Sequence, residues 1–537
     1  MKKKILVLNF SLILFALLAG TTAFSRNYYV ATTGNNDNSG TKENPYATID
    51  KAATIAQAGD SVIIKPGTYI QSAEITLSNS GTPNAPIVFY SEVNCAAIID
   101  GQSTVPTIAS RHGLLYVTGD NIVIDGFRIQ NSGFFGVLMT SSSSNITVKN
   151  CYTYFTGASG ICAAGATNIT VLNNTVQKAC HAPGGLSVRV SECITMASVT
   201  GFEVAYNTVF DRLTNLNSGG EGIDAKNLCS NGKIHHNVVY DLFSVGIYVD
   251  AYQKNITNVE VYANKVYNTG SGITIASEEG GIVNNVKVHD NLVYNMGKVG
   301  IRIAGYLNNG PIQDIDIYQN TIYNCGWKGN YENCGLLIEA SNTANYGFRI
   351  RNNVISGCPM QIKSNSSQNF PVTVDNNLFY GSNGYFSSQT TITNTINSDP
   401  QFVDAANLDF RLKSTSPAID KATGNLLSEN DILGFSRGAK PDLGAFEYNA
   451  TSGVHDLKTE KKTLSIYPNP ATDYFTINRN NETNCFVRIL NLNGQVVDSF
   501  AAAEKQIRMD SSKLKPGIYL VEVKDKEQIS CDRIIVN

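Results

Sequence analysis

Charge is scarce in this chain of 537 residues: 16% are Asp, Glu, Lys or Arg, and the formal net charge is −3. A protein that grips nucleic acid by its phosphates needs a basic excess, so that class of partner is excluded. Any polyanion would have to be held by local Arg and Lys. Long apolar runs are also scarce. The one candidate, Ile5 to Leu18 behind Lys2, Lys3 and Lys4, is about 14 residues long, and a membrane-spanning helix needs ~20. Followed by the small residues Ala19 to Ala23, it reads as a secretory signal peptide over residues 1–25, with no membrane span expected in the mature protein. No cysteine follows it where a lipoprotein anchor would need one. Zinc-type CxxC pairs are absent, and the cysteines, an odd 11, are scattered like small apolar core residues. Cys325 and Cys334, bracketing a Gly/Asn-rich insertion, are the pair best placed to bond in an oxidising compartment. The 42% hydrophobic content is ordinary for a globular protein and argues against disorder.

What is present is a repeat. From about residue 110 to 380 the chain returns to one phrase, a glycine opening a short apolar strand, then x-Val-x-Val-x-x-Asn-x-Val. Asn174, Asn207, Asn237, Asn264, Asn291, Asn320, Asn353 and Asn377 hold the same slot, at spacings of 33, 30, 27, 27, 29, 33 and 24 residues. Such a period, built of β-like strands, means a solenoid. Ile223, Ile247, Ile273, Ile301, Leu336 and Met360 align in the phrase and are expected to stack inward, one rung per coil, in a core that no single coil could bury. The expected architecture is all-β: a parallel β-helix solenoid followed by a small C-terminal β-sandwich. An amide with two donors and two acceptors at a turn can bond the turn backbone and the same amide one coil away, so the asparagines are expected to be structural.

The β-helix domain is expected over residues 26–448. Its entry segment, Asn27 to about Gly101, carries a short helix, Asp50 to Ala56, expected to cover the open end of the coil stack. Residues 398–448 read as an irregular closing segment lying back along the helix. The polar stretch 449–462 reads as a linker. Residues 463–537 hold SIYPNPATDYFTIN, FVRILNLNGQVV and LKPGIYLVEV, alternating strands with a turn at Asn493-Gly494 that predict the sandwich.

Those three stretches, in that order, resemble the type IX secretion sorting domain. The resemblance implies the type IX machinery as a partner and a secreted or cell-surface location. The entry segment YYVATTGNNDNSGTKENPYATIDKAATIAQAGDSVIIKPGTY (28–69) and the ending DLGAFEY (442–448) resemble secreted right-handed β-helix polysaccharide lyases, family 9 pectate lyases most closely. The likeness spans roughly residues 28–448 and implies a right-handed coil and a glycan substrate; a monomer is expected. One fold carries many activities, so it does not decide the reaction.

Stacked coils set residues of equal offset from the strand glycine ~4.8 Å apart, so an outward ladder can be read from the sequence. Odd offsets are apolar; even ones are expected to face water. At plus two stand Asp224, Tyr248, Thr274, Arg302, Leu337 and Gln361; at plus four, Lys226, Asp250, Ala276, Ala304, Glu339 and Lys363. At plus six stand Leu228, Tyr252, Glu278, Tyr306 and Ser341. One patch therefore gathers Asp224, Lys226, Tyr248, Asp250, Tyr252, Glu278, Arg302 and Tyr306 beside Glu221. Tyrosine rings stack on pyranose faces, and charged groups bond hydroxyls or a uronate carboxylate. The plain alternative is a solvated face whose charges pair across coils, Lys226 with Asp250 for example.

Two reactions fit the patch. In β-elimination of a uronate, a cation neutralises the carboxylate and a base removes the C5 proton; Lys226 or Tyr248 is the candidate base and Arg302 the carboxylate partner. In hydrolysis two carboxylates flank the bond. Strand geometry puts Asp224 and Asp250 ~8 Å apart at Cα, in the ~6.5–9.5 Å range of inverting glycosidases. A non-catalytic glycan-binding surface protein is the third reading. Family 9 pectate lyases hold Ca²⁺ through aspartates on two adjacent coils and use a lysine on a later strand as base. The resemblance puts Glu221 at the first acidic position, but Ser244, Val245 and Tyr248 at the second and Thr274 at the lysine. Either this branch has a different site, with Asp250 and Lys226 in new roles, or its substrate differs, or it does not catalyse that reaction; Ca²⁺ is the one cofactor the resemblance implies.

Outside the patch, Trp327 in the insertion CGWKGNYENC (325–334) is either a sugar platform or a ring folded over the core. His235, His236 and His289 match no carboxylate cluster and read as solvated strand residues rather than a metal site. Glu278-Glu279-Gly280-Gly281 reads as an acidic turn.

Overall fold

The computed structural model describes residues 25–181, 192–212, 220–328, 332–364, 369–381, 389–448, 464–468, 471–479, 485–491, 496–515, 517–525 and 528–536. The expected signal sequence, the linker, Tyr331 and the Asn493-Gly494 turn lie outside them. The chain divides into two compact units, Met1–Tyr448 and Asn449–Asn537.

In the first unit successive coils feed three parallel sheets of 14, 11 and 13 strands. Parallel strands of one sheet joined by crossovers wind right-handed, and the unit is a right-handed parallel β-helix. Ile223, Ile247, Ile273, Ile301 and Leu336 stack in register as expected, all buried. Met360 does not join them. The last strand of that sheet pairs Cys334 with Met360 and Leu336 with Ile362, so the inward rung falls two residues later. No glycine opens that strand in the sequence, which removed the marker for its register.

The helix Ile49–Ile55 starts at Thr48, whose side chain caps the Lys51 N–H. Its Ile49, Ala52 and Ala53 enter the same core as Val62 and Ile75, covering the open end of the stack. Closing the other side, residues 398–448 lie back along the 13-stranded sheet. Phe402, Phe410, Leu443 and Phe446 pack with Leu292, Tyr294, Val354 and Leu378. The buried Arg437 anchors the segment, donating to Asp290 at 2.6 Å.

Each asparagine of the repeat is buried and bonded coil to coil. The Asn237 backbone N–H and side-chain Nδ2 both donate to Asn264 Oδ1, at 3.0 and 2.9 Å, and Asn264 repeats this on Asn291. The residue before each takes the left-handed conformation, His236 at φ 54° and Ala263 at φ 51° among them. That conformation sharpens the corner between two sheets, and the amide next to it satisfies the backbone the corner exposes.

The histidines differ from expectation. His235 and His289 are buried, not solvated, and alternate with Tyr262 and Tyr318 in a stack with ring centroids 4.6, 5.2 and 4.6 Å apart. Cys325 and Cys334 are free and buried; the Cys325 N–H instead meets Cys358 Sγ on the next coil at 3.4 Å.

The second unit is two antiparallel sheets, of three and four strands. Leu464, Ile466, Phe475, Ile477, Val487, Ile489, Val521 and Ile534 form its core, as expected of a small sandwich.

Candidate active site

The 11-stranded sheet carries the ladder on its outer face. Register runs Thr195, Asp224, Tyr248, Thr274, Arg302, Leu337, with Lys363 rather than Gln361 at the end. Gln361, displaced by the same shift as Met360, is wholly buried and donates to the Cys358 carbonyl at 3.1 Å. Lys226, Asp250, Ala276 and Ala304 follow in one parallel row, and Tyr252, Glu278 and Tyr306 in another.

The wall is sunken rather than water-facing. Asp224 is 0% exposed, Asp250 3% and Tyr248 8%. The cause is side-chain size: Ala276 and Ala304 leave a hollow that the Tyr248 and Tyr306 rings fill. Period-2 alternation tells which side of the sheet a residue takes, not how much of it reaches water.

In this wall Lys226 Nζ lies 2.8 Å from Glu192, 3.3 Å from Asp224 and 3.6 Å from Asp250. The expected Lys226–Asp250 pair is therefore present, but inside a larger cluster. Glu192 was not legible as a site residue. It pairs in register with Glu221 on a strand where Cys193 takes the place of the opening glycine; the aligned Ile194 was the only signal. The ammonium stands between Asp224 and Asp250, so these two share a cation instead of flanking an open cleft.

Glu192, Glu221 and Asp224 bring one carboxylate oxygen each within 4.8 Å of one another, so this acidic triad can hold a metal ion. Asp224 Oδ1 and Asp250 Oδ1 are buried without a hydrogen-bond partner among the described residues. Burial, and then repulsion from Glu192 working against Lys226, pushes Glu221 up to about 8. Burial and Glu278, against Lys226, push Asp250 up to about 7. Burial also holds Asp224 well above the ordinary aspartate range. Burial works against the Lys226 charge, but Asp224, Glu192 and Asp250 outweigh it and raise the lysine above its usual value. Carboxylates that resist ionisation beside bare buried oxygens are what an acidic nest short of positive charge shows, and the donor set suits a hard, oxygen-bound cation.

From this nest a cleft of about 1020 Å³ opens across the next coils, lined by Glu221, Phe243, Tyr248, Glu278, Arg302, Tyr306, Trp327 and Lys328 among others. Within it the Tyr248 hydroxyl donates to the Glu278 carboxylate. Burial, then the charges of Asp250 and Glu278, raise the Tyr248 phenol well above its ordinary value. Tyr248 and Lys226, the two bases the sequence suggested, are thus both shifted toward their protonated forms. Arg302 donates through Nε to Glu339 at 2.9 Å, meets Glu332 at 2.7 Å and lies over the Tyr306 ring. Glu339 thus enters as the partner of Arg302. Tyr252, 38% exposed, does not line the cleft. Trp327 is 61% exposed on the cleft rim, not folded over the core. Glu279 lies beyond the cleft and accepts from Gln253 at 2.6 Å, and the Glu278–Gly281 stretch turns as expected.

Comparison with known proteins places this architecture. A model described as the Pel9A-like right-handed β-helix region matches residues 28–183, a domain of unknown function (DUF5123) matches 315–426, and a secretion system C-terminal sorting domain matches 465–537. The chain is 30% identical over 447 residues to the protein YwoF of Bacillus subtilis (strain 168), covering 73% of this chain and 91% of that one. It is 30% identical over 125 residues to pectate lyase L of Dickeya chrysanthemi, covering 22% of this chain and only 29% of the lyase. Among solved structures, XylC in complex with xylose aligns with a TM-score of 0.54 at 12% identity, over 79% of this chain and 98% of that one, a likeness of fold. The sorting domain directs the protein to secretion or the cell surface. The chain belongs to the family of Bacillus subtilis YwoF, with a pectate-lyase-like, Pel9A-type right-handed β-helix at its N-terminal end and a type IX sorting domain at its C-terminus.

Proposed function

We propose that the protein is an exported polysaccharide lyase that cleaves an acidic, uronate-containing glycan by β-elimination. The observation that carries this reading is the Tyr248–Glu278 pair, a phenol donating to a carboxylate inside the cleft. Glu278 accepts the C5 proton of the uronate. The C5 electron pair forms the C4–C5 double bond as the C4–O4 bond breaks, and Tyr248, kept protonated by burial, gives its proton to O4. Glu278 then returns the proton along its hydrogen bond, and both groups regain their starting state. Lys226 is a fixed cation in the acidic cluster and Arg302 lines the cleft wall. Glu192, Glu221 and Asp224 are the residues that would hold Ca²⁺, which when bound neutralises a uronate carboxylate and acidifies C5–H.

The reading also rests on the partial likeness to pectate lyase L. Its test is incubation of the mature protein with polygalacturonate and alginate. Ultraviolet absorbance of an unsaturated uronate is expected to rise, and Tyr248→Phe and Glu278→Gln are each expected to lower the rate by about 100-fold or more. Reducing ends without that absorbance would replace elimination by hydrolysis; retention on the glycan without product would leave binding alone.

A further inference from the structure

The cleft has a second end that the elimination step does not use. Its rim is built from the turns that enter successive strands of the 11-stranded sheet, tied coil to coil by backbone bonds. The Ser271 N–H meets the Ser244 carbonyl at 3.0 Å, the Lys298 N–H meets Gly270 at 2.7 Å, and the Lys328 N–H meets Gly297 at 2.6 Å. Along four consecutive coils these turns present Phe243, Gly270, Gly297 and Trp327, with Ser244, the residue after Phe243, standing opposite Gly270. The outer two are aromatic and open to solvent, Phe243 at 46% and Trp327 at 61%. The inner two carry no side chain. The result is a bare trough between two aromatic posts about three coil spacings apart, roughly 14 Å.

Both posts leave large apolar surface in water, which a coil stack with so extensive a core has no need to do. A Gly270 side chain would meet the Phe243 carbonyl at 2.5 Å, whereas at Gly297 the nearest atom is Lys328 Cδ at 3.5 Å, so the trough at Gly297 is open by sequence choice rather than by crowding. Charge marks the same end. The Lys298 side chain is 54% exposed and shares Glu332 with Arg302, and Lys328, exposed on the rim, has no ion pair among the described residues.

We propose that this trough is a multi-sugar binding subsite that holds at least four consecutive units of an acidic glycan parallel to the helix axis. Phe243 and Trp327 stack on pyranose faces at its two ends, and Lys298 and Lys328 receive carboxylates. The inference rests on the acidic-glycan reading above and extends it to chain length and direction of binding.

The experiment is equilibrium binding of the full chain to oligogalacturonates of two to six units and to neutral xylo-oligosaccharides of the same lengths. Affinity for the acidic series is expected to rise with each unit to about four and then level off. Trp327→Ala is expected to weaken binding of tetramer and longer by about tenfold while leaving the dimer unchanged. Lys328→Ala is expected to lower affinity for the acidic series only. Gly297→Leu, which fills the trough without a backbone clash, is expected to weaken the long oligomers as Trp327→Ala does. All three are expected to keep the wild-type melting temperature, since the altered groups face solvent.

Tetramer affinity unchanged in Trp327→Ala and in Gly297→Leu overturns the subsite, and equal binding of the neutral series overturns its acidic specificity. The two readings fail separately. Length-dependent binding with no unsaturated product sinks the lyase and keeps the subsite. Elimination with no length dependence does the reverse.

Discussion

Lys226 Nζ lies 2.8 Å from Glu192 Oε1, although the register sets Lys226 beside Ala197 and Glu192 beside Glu221. The lysine leans back one coil and several residues along the strand to reach a carboxylate buried behind it. Asp224 and Asp250 complete the ring. One cation thus stands among three buried carboxylates, with Glu221 adjoining.

Removing that cation should be costly. Lys226→Met leaves the carboxylates buried and uncompensated, and about 3 kcal/mol of unfolding free energy is expected to be lost, the low end of the usual range because the side chain is partly open to solvent. Lys226→Arg is expected to lose less than half of that. Urea unfolding of the purified β-helix protein measures both, and a methionine variant as stable as wild type would dissolve the cluster as an electrostatic unit.

The same cluster sets a pH dependence. Glu221 and Asp250 hold their protons up to about 8 and 7 in the folded state, whereas unfolded carboxylates release theirs near pH 4. Between those values the folded chain binds more protons than the unfolded one, so stability falls as pH rises across this window. A divalent cation replaces the lost protons. Added Ca²⁺ is therefore expected to raise the melting temperature at pH 8 and not at pH 4, with EDTA reversing the gain; the same increment at both pH values would place the ion elsewhere.

Two asparagine ladders separate burial from residue type. Asn264→Ala removes the acceptor of the Asn237 N–H and the donor to the Ile234 carbonyl, all buried, and is expected to cost about 3 kcal/mol. Asn258 bonds Asn231 at 3.0 Å in a similar coil-to-coil manner but on the surface. Asn258→Gly, compatible with the positive φ there, is expected to change stability by less than about 1 kcal/mol. Equal losses in chemical denaturation would refute the distinction.

Much of the fold was legible because a solenoid repeats its instructions. The asparagine slot marked each coil, the glycines marked each strand, and Ile223 through Leu336 fell in register from spacing alone. Legibility ended where the markers did. Without an opening glycine, the strand of Met360 slipped by two residues and the strand of Glu192 went unread. At the site, spacing brought Asp224, Lys226, Tyr248, Asp250, Arg302 and Tyr306 to one face. It did not reveal that Lys226 reaches back a coil, nor that His235 and His289 are buried in a ring stack.

The sequence by itself determined the coil, its period, the inward rungs and the face that each site residue occupies, because these follow from local periodicity and hydrogen-bonding capacity. Tertiary structure alone decided depth and partnership: which carboxylates lose water, which protons stay, and where bare backbone leaves a trough between Phe243 and Trp327. Those properties depend on the side chains of neighbouring coils, about 30 residues away along the chain and one strand spacing away in space, and no local pattern records them.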